Sequence, residues 1–282
     1  MTTPTQRAMR YLPTPEHAAR LTTAELRAAF LVEGLFQHDR VVLTHVDLDR
    51  VVLGGAMPTT RPLALEAPES LRSAYFAERR EIGILNVGGR GTVTVDGARH
   101  ELDNRDMLYV GRGSREVVLA SADPASPAAF YMVSYPAHVA SPTRRIAKGE
   151  AQAAELGSSE SANRRTLRRY IHPDGAASAQ LVMGVTELHP GSVWNSMPPH
   201  VHHRRTEVYL YFDVPPDGTI VHLMGEPQET RHLMMHDREA VLAPGWSVHA
   251  GCGTSNYTFC WAMGGENQEF ADMQPAPVNA LR

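Results

Sequence analysis

Short β-type runs, each closed by turn residues within a few positions, limit the fold of this chain more than any other feature. Val41-Val42-Leu43-Thr44-His45-Val46, Gly91-Thr92-Val93-Thr94-Val95 and Glu116-Val117-Val118-Leu119 are examples. Gly, Pro, Asn and Asp separate such runs at short intervals, as at Asp96-Gly97. Many short strands with frequent turns predict an all-β sandwich or barrel. A helix is expected only near the start. There Thr22 and Glu25 fit a capping box, and Leu26, Ala29 and Phe30 repeat at helical spacing.

The 282 residues suffice for two domains or one large β domain. Residues from about Pro136 to Asn163 are rich in Ala, Ser, Pro, Gly and Glu and show no strand alternation. That stretch reads as a crossover linker. The expected division is a first unit over 1–140 with the leading helix, a linker over 141–163, and a second unit over 164–282. The tail from Asp272 is expected to pack over the outside. A faint repeat relates the units. Arg79-Arg80-Glu81 precedes an apolar run as Arg204-Arg205-Thr206-Glu207 does, and Asp106 to Gly113 resembles Arg238 to Gly245. The order and spacing suggest a duplicated barrel.

Composition excludes several functions. Lys+Arg 27 against Asp+Glu 31 gives −4, without the basic footprint of nucleic-acid or membrane-surface binding. The two cysteines, Cys252 and Cys260, cannot make a disulfide scaffold or a cysteine-rich zinc site. No apolar stretch has signal-peptide or membrane-spanning length, so the expected location is the cytoplasm. Lys148 is the only lysine and sits in the polar linker, which argues against an imine mechanism.

The run His200-Val201-His202-His203-Arg204-Arg205-Thr206-Glu207 carries the chemistry. Alternation in a strand points His200 and His202 the same way. Glu207 lies an odd number of residues beyond His202, but a bend in the polar stretch between them returns it to the same interior. Tyr209 and Tyr211 then face inward too, while Val208, Leu210 and Phe212 face the packing side. His249, after the Pro244-Gly245 turn, is the best candidate for a fourth ligand. Imidazoles with one carboxylate suit zinc, copper, iron, nickel or manganese.

The paired histidines, the glutamate and the later Pro-Gly turn leading to histidine resemble the two metal-binding motifs of the cupin superfamily. Leu31-Val32-Glu33-Gly34, Gly54-Gly55-Ala56-Met57-Pro58, Glu78-Arg79-Arg80-Glu81 and Thr94-Val95-Asp96-Gly97 extend the resemblance through the first half. Asn163-Arg164-Arg165-Thr166, Met197-Pro198-Pro199-His200, Gln228-Glu229-Thr230-Arg231-His232 and Gly265-Glu266-Asn267-Gln268 continue it. Together they resemble the 5-dehydro-4-deoxy-D-glucuronate isomerase family, also called 4-deoxy-L-threo-5-hexosulose-uronate ketol-isomerase, over nearly the whole chain. The resemblance implies two double-stranded β-helix barrels with a few short helices, and a homohexamer. It also implies one zinc ion per chain on His200, His202, Glu207 and His249. The first barrel is expected to be metal-free, since no histidine pair precedes Arg79-Arg80-Glu81 and Glu116 stands about where His249 stands. His203 departs from the family, where a charged residue such as Glu is expected; a solvent-facing turn accommodates it.

The implied reaction is an aldose–ketose interconversion of a keto-deoxy-uronate from pectin breakdown, without nucleotide cofactor. Gly88-Gly89-Arg90-Gly91 sits among strands and opens no helix, unlike a dinucleotide fingerprint. Tyr209 and Tyr211 are candidate catalytic groups, and the base is not identified by sequence. Arg164, Arg165 and Arg231 are candidates for the substrate carboxylate, because the guanidinium fork matches that group. Four protein ligands describe a closed zinc site, whereas catalysis needs an open position. A cupin dioxygenase and a non-catalytic sugar-acid-binding cupin are the alternatives.

Overall fold

The computed structural model describes residues 9–282. Two β units account for most of it. In the first, six antiparallel strands run in the order Arg144–Ile146, Met107–Val110, Arg80–Asn86, Phe130–Pro136, Val52–Ala56 and Val41–His45. A four-stranded sheet (Leu63–Ala64, Val117–Ser121, Gly91–Val95, Ala98–Leu102) faces it across an apolar core that includes Ile82, Ile84, Val93 and Leu119. The Asp96-Gly97 signal makes the hairpin between Gly91–Val95 and Ala98–Leu102. Both residues have positive φ, 48° and 84°, as a tight two-residue turn requires.

The second unit repeats the plan. Its large sheet runs Leu31–Val32, Glu239–Ala243, Arg205–Phe212, Thr258–Gly265, Val182–Leu188, Arg165–Ile171 and Gln152–Leu156. Its smaller sheet runs Trp194–Asn195, Ala250–Gly253, Ile220–Glu226 and Glu229–Met235. The large sheets of the two units pack back to back. A methyl on Gly83 would lie 2.4 Å from the Met183 sulfur, and one on Gly264 would lie 2.4 Å from the Tyr135 ring. Glycine at both positions lets the sheets approach.

The repeat read from the sequence is a structural one. Arg80 and Arg205 open equivalent strands, and Ile82 pairs with Val110 as Glu207 pairs with Ala243. Ile82 therefore stands where Glu207 stands in the second unit.

Two expectations need correction. The stretch read as a strandless linker carries strands Arg144–Ile146 and Gln152–Leu156, one at the edge of each large sheet. All five residues of Gln152–Leu156 are exposed, so no alternation could mark it. The leading helix, Thr23–Phe30, has its capping box, with Thr22 and Glu25 bonded reciprocally. It serves the second unit rather than the first. It packs on Glu229–Met235 and Glu239–Ala243, and the chain then adds Leu31–Val32 to the edge of the second sheet.

Glu81 fastens the units together. Its buried carboxylate accepts from the Tyr109 hydroxyl at 2.8 Å and from the backbone N–H groups of Ala179, Gln180 and Leu181 at 2.6, 2.8 and 2.8 Å. Each buried donor left without an acceptor costs about 1–3 kcal/mol. Glu81→Ala should cost roughly 3 kcal/mol or more, lowering the thermal midpoint by roughly 6 °C or more in calorimetry.

Candidate metal centre

His200 and His202 lie on a two-residue strand and the turn that follows it. Their backbone is held from outside the local sequence. The strand His200–Val201 pairs with Gln274–Pro275 from the tail, and the His202 N–H donates to the Gly245 carbonyl at 3.1 Å. A side chain on Gly245 would come within 2.4 Å of the His202 carbonyl, so this turn needs glycine. The exposed His203 sits in the bend. Glu207 is the third residue of Arg205–Phe212, and His249 directly precedes Ala250–Gly253.

These elements bring one ligand atom from each of His200, His202, Glu207 and His249 within 4.8 Å of one another. The outer nitrogens are fixed by carbonyls. His202 Nδ1 donates to Asp272 O at 2.9 Å, His249 Nδ1 to Ser247 O at 3.3 Å, and His200 Nδ1 to Pro198 O at 3.5 Å. A proton on each Nδ1 turns the Nε2 lone pair inward, as metal-binding histidines require. The inward atoms then crowd. Glu207 Oε2 lies 3.2 Å from His202 Nε2 and 2.9 Å from His249 Nε2, and the Nε2 atoms of His200 and His249 are 3.1 Å apart. Lone pairs at such distances repel unless a proton or a metal ion lies between them. The buried His202 Nε2 has no hydrogen-bond partner among the described residues. The donor set fits a divalent metal.

The electrostatics agree. Burial, with His249 adding to it, pushes the His200 imidazole down to about 3. Burial works to raise the Glu207 carboxyl, but His249 and His202 outweigh it and hold it below the usual carboxylate range. A neutral His200 imidazole and an ionised Glu207 carboxylate are ligand forms a metal needs.

The cluster opens into a cavity of about 290 Å³. Much of its wall is apolar, with Phe259, Trp261, Met263 and Phe270 prominent. Among the described residues lining it, Arg165 is the only arginine or lysine and Glu207 the only carboxylate. Arg165 uses Nη1 on the Asn163 carbonyl at 2.8 Å. The other two arginine candidates lie elsewhere. Arg164 is exposed outside the cavity wall. Arg231 donates to the carbonyls of Ala18, Ala19 and Leu21 and so tethers the leading segment to the second barrel. Tyr209 lines the cavity, with its hydroxyl 2.7 Å from Ser196 Oγ. Tyr211 does not. It lies behind, its hydroxyl 2.8 Å from His222 Nδ1 in a buried group with Asn195 and Tyr257. Lys148 pairs with Glu187 at 2.9 Å, away from the cavity.

The profile of the KduI/IolB family matches residues 30–276. The chain belongs to this family. Relatives named 4-deoxy-L-threo-5-hexosulose-uronate ketol-isomerase include the proteins of Formosa agariphila, 52% identical, and Caldicellulosiruptor bescii, 48% identical; each match covers 97% of this chain and 98% or 99% of the relative. With relatives of this kind, the chain is an isomerase. Among solved structures, an IolB-like protein of Salmonella typhimurium aligns at a TM-score of 0.62 with 15% identity, over 78% of this chain and 85% of that one. Oxalate decarboxylase of Lactobacillus farciminis aligns at 0.57 with 11% identity, over 81% and 79%. At such identities these structures speak for the fold alone, a duplicated cupin barrel.

Other groups of this KduI/IolB cavity were not marked by the sequence. Ser196, Thr186 and Phe270 carry no motif. The tail, expected outside, supplies the Asp272 carbonyl and the strand that holds His200. Gln268 to Pro275 mixes polar residues with Phe270 and Met273 at no regular spacing, and that pattern carries no ligand signal.

Two outcomes follow from this geometry. His200→Ala should lower bound metal by about tenfold or more in elemental analysis, since even indirect support of a ligand is worth about 10–100-fold. Stability of the metal-free protein should also depend on pH. An unfolded chain protonates His200 near 6.5, but the folded site resists down to about 3. The unfolded state therefore binds more protons in that window, and stability falls as pH drops through it. Denaturant midpoints of the metal-free protein should decline from about pH 6.5 downward.

Proposed function

We propose that this chain is a zinc-dependent ketol-isomerase interconverting 5-dehydro-4-deoxy-D-glucuronate and 3-deoxy-D-glycero-2,5-hexodiulosonate in uronate breakdown. The observation that carries the reading is a three-histidine, one-glutamate cluster at a cavity with a single guanidinium, in a chain about half identical to named ketol-isomerases. Zinc suits three neutral imidazoles and one carboxylate. His200, His202, Glu207 and His249 would hold it. A divalent ion there supplies Lewis-acid polarisation of the substrate carbonyl.

The chain's own groups do the rest. Arg165 binds the substrate carboxylate through N–H donors not used on Asn163. Trp261, Phe259 and Met263 exclude water and meet the deoxygenated carbon. The tension between four ligands and an open site eases at His200. It is less buried than the other three ligands, and its outer hydrogen bond is the longest, 3.5 Å. Movement there, or a fifth ligand, admits substrate.

One ion per chain is proposed, because the first barrel has Ile82 at the glutamate position and Glu116 is exposed. Two ions per chain would contradict this. A hexamer is proposed on family resemblance. The exposed edge strand Gln152–Leu156 supports association, because free edges favour pairing with another chain. Light scattering giving a monomer would reject it.

Metal-loaded protein incubated with the keto-deoxy-uronate, without oxygen or added cofactor, should yield the ketose isomer. No isomer, with oxygen uptake in air, would instead support a dioxygenase; substrate binding without turnover would support a binding protein. Arg165→Ala should raise KM by about tenfold or more, the loss expected of a charge-assisted hydrogen bond, about 1.5–3 kcal/mol.

A further inference from the structure

We infer that the Tyr209–Ser196 hydroxyl pair donates a hydrogen bond to the substrate oxygen on which negative charge develops during isomerisation. The inference rests on the isomerase reading above and assigns that reaction a further catalytic group.

Glu207 and Tyr209 are alternate residues of one strand, so both side chains face the barrel interior, roughly 7 Å apart along the backbone. The Tyr209 ring packs edge-on against the His249 imidazole, with centroids 5.6 Å apart. Tyr209 thus contacts one ligand and follows another. Ser196 and Tyr209 line the same cavity as the ligand cluster.

The two hydroxyls carry two O–H protons. The 2.7 Å contact between them uses one. Among the described residues neither hydroxyl has another acceptor, so one O–H remains for whatever occupies the cavity. The surrounding wall is mostly apolar, so the protein offers this donor no acceptor and it is left for an oxygen that enters the cavity. Tyr211, by contrast, already has His222 and lies off the cavity wall.

The backbone is consistent with a placed group. Ser196 adopts φ 51°, in the left-handed region that disfavours a side chain, and this conformation puts its hydroxyl on Tyr209.

The chemistry balances without a change in the pair. A base takes the proton from the hydroxyl-bearing carbon, electrons pass into the neighbouring carbonyl, and that oxygen takes up the hydroxyl proton as the enediol forms. The base returns its proton to the former carbonyl carbon as the former hydroxyl oxygen becomes the new carbonyl. Charge rises on the original carbonyl oxygen in the first transfer, and a fixed donor aimed there lowers that barrier. Tyr209 and Ser196 keep their own protons over the cycle.

The test compares zinc-loaded wild type, Tyr209→Phe and Ser196→Gly in an anaerobic isomerase assay. The first variant keeps the ring and removes the hydroxyl; the second suits the left-handed backbone. Wild-type turnover is the control: its absence rejects the isomerase reading itself. With wild type active, Tyr209→Phe should lower kcat by about 10²–10³-fold, the loss typical of one oxyanion donor, with KM changed little and zinc content unchanged. Ser196→Gly should lower kcat by roughly tenfold through a less oriented phenol. Full kcat in Tyr209→Phe would overturn the inference. So would loss of zinc in that variant, which would give the pair a structural role.

Discussion

Alternation along Arg205–Phe212 governs both sides of the second barrel. Strands bond to it on both edges, and all eight of its residues are buried. Glu207, Tyr209 and Tyr211 therefore face the barrel interior, and Val208, Leu210 and Phe212 face the apolar layer beneath the first unit. A register slip of one residue would put Glu207 into that apolar layer and Val208 at the ligand cluster. The antiparallel ladders on both edges prevent such a slip.

Burying Glu207 is unfavourable on its own, because a desolvated carboxylate needs compensation. His202 and His249 supply it in the free protein, and a metal ion would supply more. The same site lacks local support. His200–Val201 is only two residues long, and its pairing partner comes from the tail some seventy positions later. Asp272 O accepts from both His202 and Arg205, so one tail carbonyl orients a candidate ligand and anchors the buried start of the central strand. The tail is thus part of the centre rather than a cover.

The first unit shows what the duplicated framework does without these groups. Ile82 replaces the glutamate, and the unit's interior is filled by apolar side chains, Phe76 and Phe130 among them. Its contribution to the second unit is mechanical. Glu81 ties down the segment 179–181, and glycines at 83 and 264 allow the large sheets to nest. An isolated second barrel would lose that backing, along with the buried face of its large sheet.

Several features are written in local periodicity and spacing. Alternation fixes which face a residue takes, so the all-β class, the Asp96-Gly97 hairpin, the capped helix and the common facing of Glu207, Tyr209 and Tyr211 were legible. The grouping of His200, His202, Glu207 and His249 was legible too, since it follows from alternation, one bend and one turn. Which side chains share the cavity depends on how distant segments meet in the fold. Arg165 reaches it while Arg164 points to solvent and Arg231 holds the leading segment. Tyr209 meets it while Tyr211 sits behind. The strand Gln152–Leu156 left no trace because an edge exposed along its whole length needs no apolar face. These outcomes depend on barrel curvature and on pairing between segments far apart in the chain, and neither leaves a periodic mark on the residues involved.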